Sequence, residues 1–196
     1  MAAILAAARD CVSRYGVHRT TMEDIAKTAG IARQYLYKFV GGREELVTAV
    51  ASARIQEIIQ ALQPIAEQAS TFADAMVEIS VGAIELTRQD PELRNLLETT
   101  PNLSLHEMLV GPNPVIHDLA IAFYTPLFAR ARAAGELRAD ADDDEIVDWI
   151  RGVYLMMILR QDLDPDRERQ MIRKFFLPSL LAGTPARPRG GNGRLR

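Results

Sequence analysis

Apolar residues return at intervals of three and four from the start of the chain. Ile4, Leu5, Ala8, Cys11 and Val12 mark one face of a helix that the spacing predicts to run to about Tyr15, where Gly16 supplies the chain reversal. Thr21, with Asp24 three residues on, predicts the N-cap of a second helix, and Thr20 with Glu23 offers the same pattern one residue earlier. Ile25 and Ala26 are expected to face inward, small Ala26 and Ala29 to permit close approach of the next helix, and Gly30 to end the second helix as Ile31 inserts into the core. A third helix is expected from Ala32 or Arg33 to about Phe39, with Leu36 and Phe39 anchoring it inward from one face.

The remaining pattern is also helical, giving an all-α chain. Leu46, Val50, Ile55, Ile58, Ile59 and Leu62 predict a helix from Glu44 to about Gln63, with Pro64 as stop or kink. Another helix is predicted over Phe72–Gln89, broken by Asp90-Pro91 before a short piece around Leu93–Leu97. The three prolines and one glycine of Thr99–Pro114 predict a loop with a brief turn near His106. Val115–Ala133 reads as a helix bent at Pro126 and ended by Gly135. The acidic run Asp140–Glu145 caps a helix reaching about Gln161, and a last helix is expected from Pro165 to Leu181, bent or tightened by Pro178.

Charge divides this chain unevenly. Residues 1–43 hold seven Lys/Arg against three Asp/Glu, whereas residues 51–186 hold twelve against twenty-one, so a polyanion is drawn to the N-terminal end and repelled by the middle. The single cysteine, Cys11, excludes an internal disulfide framework and fits a reducing, cytoplasmic compartment. Arg9 and Asp10 interrupt the first apolar run too early for a signal peptide, and Gly152–Leu159 is too short to span a bilayer, so no membrane partner is expected. The three histidines, at 18, 106 and 117, lack metal-ligand spacing, and no Walker loop or dinucleotide fingerprint is present; neither an enzyme nor a cofactor is expected. Helix capping explains the carboxylates of Asp142–Glu145 without a cation.

The second and third predicted helices with their tight turn have the layout of a helix-turn-helix unit. The third carries Arg33, Gln34, Tyr35, Tyr37 and Lys38 on what remains of its surface. Arginine pairs with guanine and glutamine with adenine in a major groove, so Arg33 and Gln34 at the helix start are assigned to base edges. Tyr35 is placed against a thymine methyl or sugar, and Tyr37, Lys38, Thr20 and Thr21 on phosphates.

The segment YGVHRTTMEDIAKTAGIARQYLYKFVGGREELVTAV, Tyr15 to Val50, resembles the N-terminal domain of the TetR/AcrR family of bacterial transcriptional regulators. Gly16, Thr21, Ile25-Ala26, Ala29-Gly30, Leu36-Tyr37, Phe39 and Glu44-Glu45-Leu46 carry the likeness. Three departures stand out. Ala32 replaces the usual serine or threonine cap of the recognition helix. Val40-Gly41-Gly42-Arg43 is one residue longer than the commoner spacing. The chain starts inside helix one without a basic arm, which puts recognition on the major groove.

The resemblance implies a helix-turn-helix domain at residues 1–43 and a larger helical regulatory and dimerisation domain at 44–182, beyond which 183–196 read as a disordered basic tail. It implies a homodimeric repressor on a palindromic operator in double-stranded DNA, released by a small-molecule effector bound between helices of the larger domain. Dimerisation is expected through the last two helices, with Ile146, Ile150, Val153 and Met157 on one and Met171 and Phe175 on the other. Pocket candidates are His106, His117, Tyr124, Trp149, Met156 and Arg160, each a polar or polarizable group among apolar neighbours. The acidic balance favours a neutral, apolar or cationic effector over a multiply anionic one. The alternative reading is a helical ligand-binding or protein-interaction module whose N-terminal unit has weak or lost DNA binding; Ala32 motivates it.

Overall fold

The computed structural model describes residues 1–100, 103–111, 114–160 and 162–183; the expected tail lies outside these residues except for Gly183. The described residues form α1 (Ala2–Tyr15), α2 (Met22–Thr28), α3 (Arg33–Val40), α4 (Arg43–Ala61), α5 (Gln63–Gln68) and α6 (Phe72–Gln89). After these come α7 (Pro91–Thr99), α8 (Leu105–Leu109), α9 (Pro114–Ala133), α10 (Asp143–Leu159) and α11 (Pro165–Met171). The fold is all-helical, with a small N-terminal helix-turn-helix bundle and a larger helical body.

Local chemistry fixes most boundaries. Thr21 and Asp24 form a capping box at α2, and the side chains of Thr71, Asp90, Ser104, Asp142 and Asp164 each accept a first-turn N–H from α6, α7, α8, α10 and α11. Gly30 closes α2 at φ +67°, a left-handed conformation that disfavours any side chain even though a Cβ there would meet nothing. Pro64 sits in the first turn of α5 after α4 has ended, so it starts a short helix. Pro126 lies inside α9 and does not end it.

The last helix departs from expectation. Regular α-helix stops at Met171, one wide π turn follows over Ile172–Phe176, and a tight 3-10 turn covers Leu177–Ser179. Pro178 has no N–H and its ring crowds the preceding turn, which explains why the regular ladder ends short of Leu181. The chain end is then tied back by the Arg138 N–H to the Leu180 carbonyl (2.9 Å) and the Ala182 N–H to the Glu136 carbonyl (2.8 Å).

Two apolar clusters meet along α4. One joins Ile4, Ala8 and Cys11 of α1, Ile25 of α2 and Leu36 of α3 to Leu46, Val50 and Ile55 of α4, and extends to Leu93, Leu96, Met108 and Ile116. The other packs α6, α9 and α10 around Met76, Ile79, Phe128 and Ile150. The first cluster runs without a break past residue 43, so α4 belongs physically to both parts.

A charged clasp reinforces that junction. Arg9 of α1 donates to Glu92 of α7 (2.7 and 2.6 Å) and to Glu57 of α4 (2.5 and 3.3 Å). Arg54 of α4 donates to the buried Asp90 (2.7 Å) and to Glu57 (2.5 Å).

Candidate functional site

The outer surface of α3 is built by what its inner surface buries. Leu36 and Val40, four apart, are the inward anchors, 0% and 7% exposed. Phe39, expected inside, is 44% exposed, because a helix anchored on residues 36 and 40 turns position 39 off the buried stripe. Its ring instead meets Tyr35 edge-on with centroids 4.6 Å apart.

Arg33 and Tyr37 occupy one row along the exposed side, and Gln34 and Lys38 the next. The Arg33 guanidinium lies 5.5 Å over the Tyr37 ring and its Nη2 donates to the Tyr37 hydroxyl at 3.4 Å. That hydrogen bond, together with electrostatic attraction to the Tyr37 phenol, holds the Arg33 pKa above the ordinary arginine value. The five α3 side chains assigned to DNA therefore share one solvent-facing surface with two basic groups, an amide and two phenols. Ala32 provides no side-chain cap to this helix, as its methyl group dictates.

Thr20 and Thr21 are placed differently from expectation. Thr20 is 3% exposed and its hydroxyl donates to the Gly16 carbonyl (2.8 Å), so it locks the turn before α2 from the inside and cannot offer that hydroxyl to a phosphate. The guanidinium of Arg43, a residue without a sequence signal for this role, donates to the carbonyls of Val17 and Thr20 and fixes the same turn to α4. Thr21 is exposed, but its hydroxyl donates to Asp24 Oδ2 (2.5 Å) and accepts from the Asp24 N–H (3.1 Å). The Thr21 hydroxyl and the Thr21 N–H (3.0 Å), both donating to Oδ2, hold the Asp24 carboxyl below the usual carboxylate range, leaving negative charge at the start of α2.

In the larger body, α4, α6, α8, α9 and α10 surround an apolar cavity. It encloses about 70 Å³ at its centre and about 600 Å³ of empty space in all, its mouth included. Of the six pocket candidates only Tyr124 lines it. Trp149 and Met156 point away, 51% and 52% exposed, and the Trp149 indole N–H donates to Ser179 Oγ (2.8 Å). Arg160 pairs with neighbouring Asp162 (2.6 Å) past the end of α10, and His106 is exposed on α8. His117 faces the carboxylates of Asp118, Asp144 and Asp148 at 3.4–3.9 Å.

Sequence reasoning missed Arg151 and Tyr154, which also line the cavity. The Tyr124 and Tyr154 hydroxyls lie 3.0 Å apart, and Tyr154 reaches Ser80 Oγ (2.9 Å), which donates to the Met76 carbonyl (2.5 Å). Burial pushes the Tyr154 pKa up to about 12 despite the bonds from Ser80 and Tyr124, and drives that of Tyr124 up as well. Spacing alone makes Arg151 look like a surface charge, since Asp148 is three residues before it.

The expected dimer stripe is inside the protomer. Ile146, Ile150, Val153 and Met157 are 2%, 1%, 9% and 2% exposed and belong to the core. The opposite side of α10 carries Trp149, Gly152, Met156 and Leu159 at alternating three- and four-residue steps, and Trp149, Met156 and Leu159 are exposed. Phe175 is 66% exposed and Met171 is partly buried. Both sides of α10 are apolar, so periodicity could not say which faced the core.

Among the described residues no helix is long and apolar enough to cross a membrane.

Residues 4–50 match the family model of bacterial regulatory proteins of the tetR family. An uncharacterized HTH-type transcriptional regulator of Mycobacterium tuberculosis is 27% identical over 175 residues, covering 87% of this chain and 80% of its own length. The repressor AlkX from a Dietzia strain superposes with a TM-score of 0.66 at 20% identity, over 90% of this chain and 92% of that one. The repressor QsdR of R. erythropolis gives 0.66 at 16% identity, over 92% and 95%. Residues 4–50 thus carry a head of the tetR type, and the chain as a whole is similar to transcription regulators of that family.

Proposed function

We propose that the protein is a homodimeric repressor that reads a palindromic operator with the exposed surface of α3 and leaves it when a small molecule fills the cavity beside α4. The carrying observation is that Arg33, Gln34, Tyr35, Tyr37 and Lys38 are all exposed on α3, which buries only Leu36 and Val40. Arg33 and Gln34 reach base edges from the helix start, while Tyr37 and Lys38 hold backbone phosphate. Thr20 drops out as a direct contact, and Thr21 serves mainly as the α2 cap. The head comprises residues 1–43 and the regulatory part 44–182, with α4 shared between them. The repressor names of two structural neighbours favour repression as the sign of regulation.

Two heads must stand about 34–36 Å apart, or a whole-turn multiple, to enter successive major grooves. We assign the pairing surface to exposed Trp149, Met156, Leu159 and Phe175. Gly152 in the middle of this stripe leaves open space where a side chain would stand, which permits close helix approach.

Gel-shift titration with the DNA upstream of the protein's own gene tests the reading. The wild type should bind with sequence preference, and Arg33→Ala and Gln34→Ala should each lower that preference by about 1–3 kcal/mol. Absence of sequence-dependent binding would favour a helical ligand-binding module, for which the uncapped α3 is the structural motive.

A further inference from the structure

Arg151 is 8% exposed, yet only part of its guanidinium is satisfied. Nη1 donates to Asp148 Oδ1 at 2.8 Å, whereas Nε and Nη2 are buried without a hydrogen-bond partner. In a planar guanidinium the Nε–H and one Nη2–H are parallel and lie on the same edge, which is the spacing of two carboxylate oxygens. Buried donors are nearly always paired, and two orphaned donors on one edge mark a place where an acceptor belongs.

The surroundings decide what that acceptor is attached to. Arg151 lines the apolar cavity alongside Ile58, Ile59, Phe123, Ile150 and Ile158. Among the described residues the lining contains no Asp, Glu, Lys or His, so Arg151 is the sole charged residue among them. The two tyrosine hydroxyls on the wall are engaged with each other and with Ser80. Arg151 thus brings to the wall of a mostly hydrocarbon-lined cavity a guanidinium that Asp148 satisfies only at Nη1.

We propose that the cavity takes an amphiphilic monocarboxylate, its carboxylate bridging Arg151 Nε and Nη2 and its apolar body lying between α4, α9 and α10. This inference rests on reading the cavity as the effector site, and it specifies the chemistry of the effector. It reverses the expectation drawn from bulk charge. The lining residues include no carboxylate, and Asp148, the acid bonded to Arg151, is largely exposed and engages only Nη1, so the Nε and Nη2 edge keeps its donors. Multiply charged anions remain disfavoured, because the cavity has one cation to meet them.

The test uses the full-length protein without DNA. Hexanoate, decanoate and phenylbutyrate are titrated by calorimetry, each beside its primary alcohol, against wild type and Arg151→Gln. At least one acid should bind the wild type about tenfold or more tightly than its alcohol, the difference expected of a charge-assisted pair. Arg151→Gln should erase the difference while leaving alcohol binding in place. If Arg151→Gln does not fold, Arg151→Lys decides: it keeps the charge but lacks the paired edge, and the preference should shrink. Equal binding of acid and alcohol, a preference unchanged in the variant, or binding by no member of either series overturns the proposal. Operator release is scored separately in the gel shift. Release by neutral compounds alone would leave the regulator reading standing and remove the carboxylate; binding of acids without release would do the reverse.

Discussion

Arg54→Met isolates the clasp between α4 and α7. In the wild type Arg54 Nε donates to Asp90 Oδ2 at 2.7 Å, and Asp90 Oδ1 accepts the Leu93 N–H at 2.6 Å to cap α7. Burial pushes the Asp90 carboxyl up, but the bonds from Arg54 and the Leu93 N–H outweigh it and leave the pKa below the usual carboxylate range. Methionine fills much of the same volume and removes the Arg54 guanidinium bonded to Asp90. Stripping one partner from a fully buried ion pair costs about 3–5 kcal/mol. The Arg54 side chain keeps 30% of its surface in water, so solvent can enter its place and a loss of about 2–3 kcal/mol is expected.

Asp90→Asn keeps a capping oxygen and loses only the charge, so it should cost about 1–2 kcal/mol. The double variant should fall well short of the sum, with a coupling of about 1–2 kcal/mol. Urea unfolding at one fixed protein concentration measures all four corners, since the midpoint of an oligomer depends on concentration. The depressed carboxyls contribute stability above their unfolded-state values and lose it as pH falls through the lower, folded-state values. The gap between wild type and Arg54→Met should therefore close below the ordinary Asp value of 3.8. A loss under about 0.5 kcal/mol, strict additivity, or a gap that persists in acid would refute the clasp.

Ala32→Ser should supply the missing cap of α3 and raise stability by about 0.5–1 kcal/mol, read as a higher thermal midpoint; no rise would mean the turn already satisfies those N–H groups another way. The Tyr154 share of the tyrosinate absorbance, taken as wild type minus Tyr154→Phe, should develop near pH 12. Because this pKa is raised from 10.0, its stabilising contribution is complete below pH 10 and fades as pH climbs toward 12; ionisation near 10 would contradict burial of the hydroxyl chain. Met156→Glu places a charge in the exposed apolar stripe of α10 and should yield monomers by light scattering with weaker operator binding. A dimer that survives it would locate the interface elsewhere.

The legible parts of this chain were those fixed by local chemistry. Thr21 with Asp24, Asp90 before Pro91, and the Asp142 cap announce helix starts in the sequence because capping needs only residues three apart. The approximate span of α6 was readable from its apolar pattern and the Asp90-Pro91 break, although its Thr71 cap was not read. What was hidden depends on which side of a helix turns inward. Phe39 and Val40 are equally apolar, and only docking on α4 selects Val40. Trp149 and Met156 carry polarizable groups that suit a pocket, whereas Ile146 and Ile150 suit an interface; packing instead buries Ile146 and Ile150 in the core and leaves Trp149 and Met156 exposed. Arg151 escaped because three-residue spacing from Asp148 is the pattern of an ordinary surface pair, and only the third dimension brings Ile58 and Phe123 around it.

The placement of α4 explains how one cavity could govern a surface on α3. Ile55, Ile58 and Ile59 of this helix line the cavity, and on the same turns Arg54 and Glu57 join the clasp to Asp90 and Arg9. At its other end Arg43 holds the carbonyls of Val17 and Thr20, the turn that presents α2 and α3. A ligand changes the spacing of two heads only by binding one position of α4 better than another. The clasp sets the cost of moving the helix, so loosening it should alter coupling as well as stability. Arg54→Met, assayed for effector-driven operator release, should respond at a different effector concentration from the wild type even where intrinsic cavity affinity is unchanged. An identical release curve would mean that the signal bypasses α4.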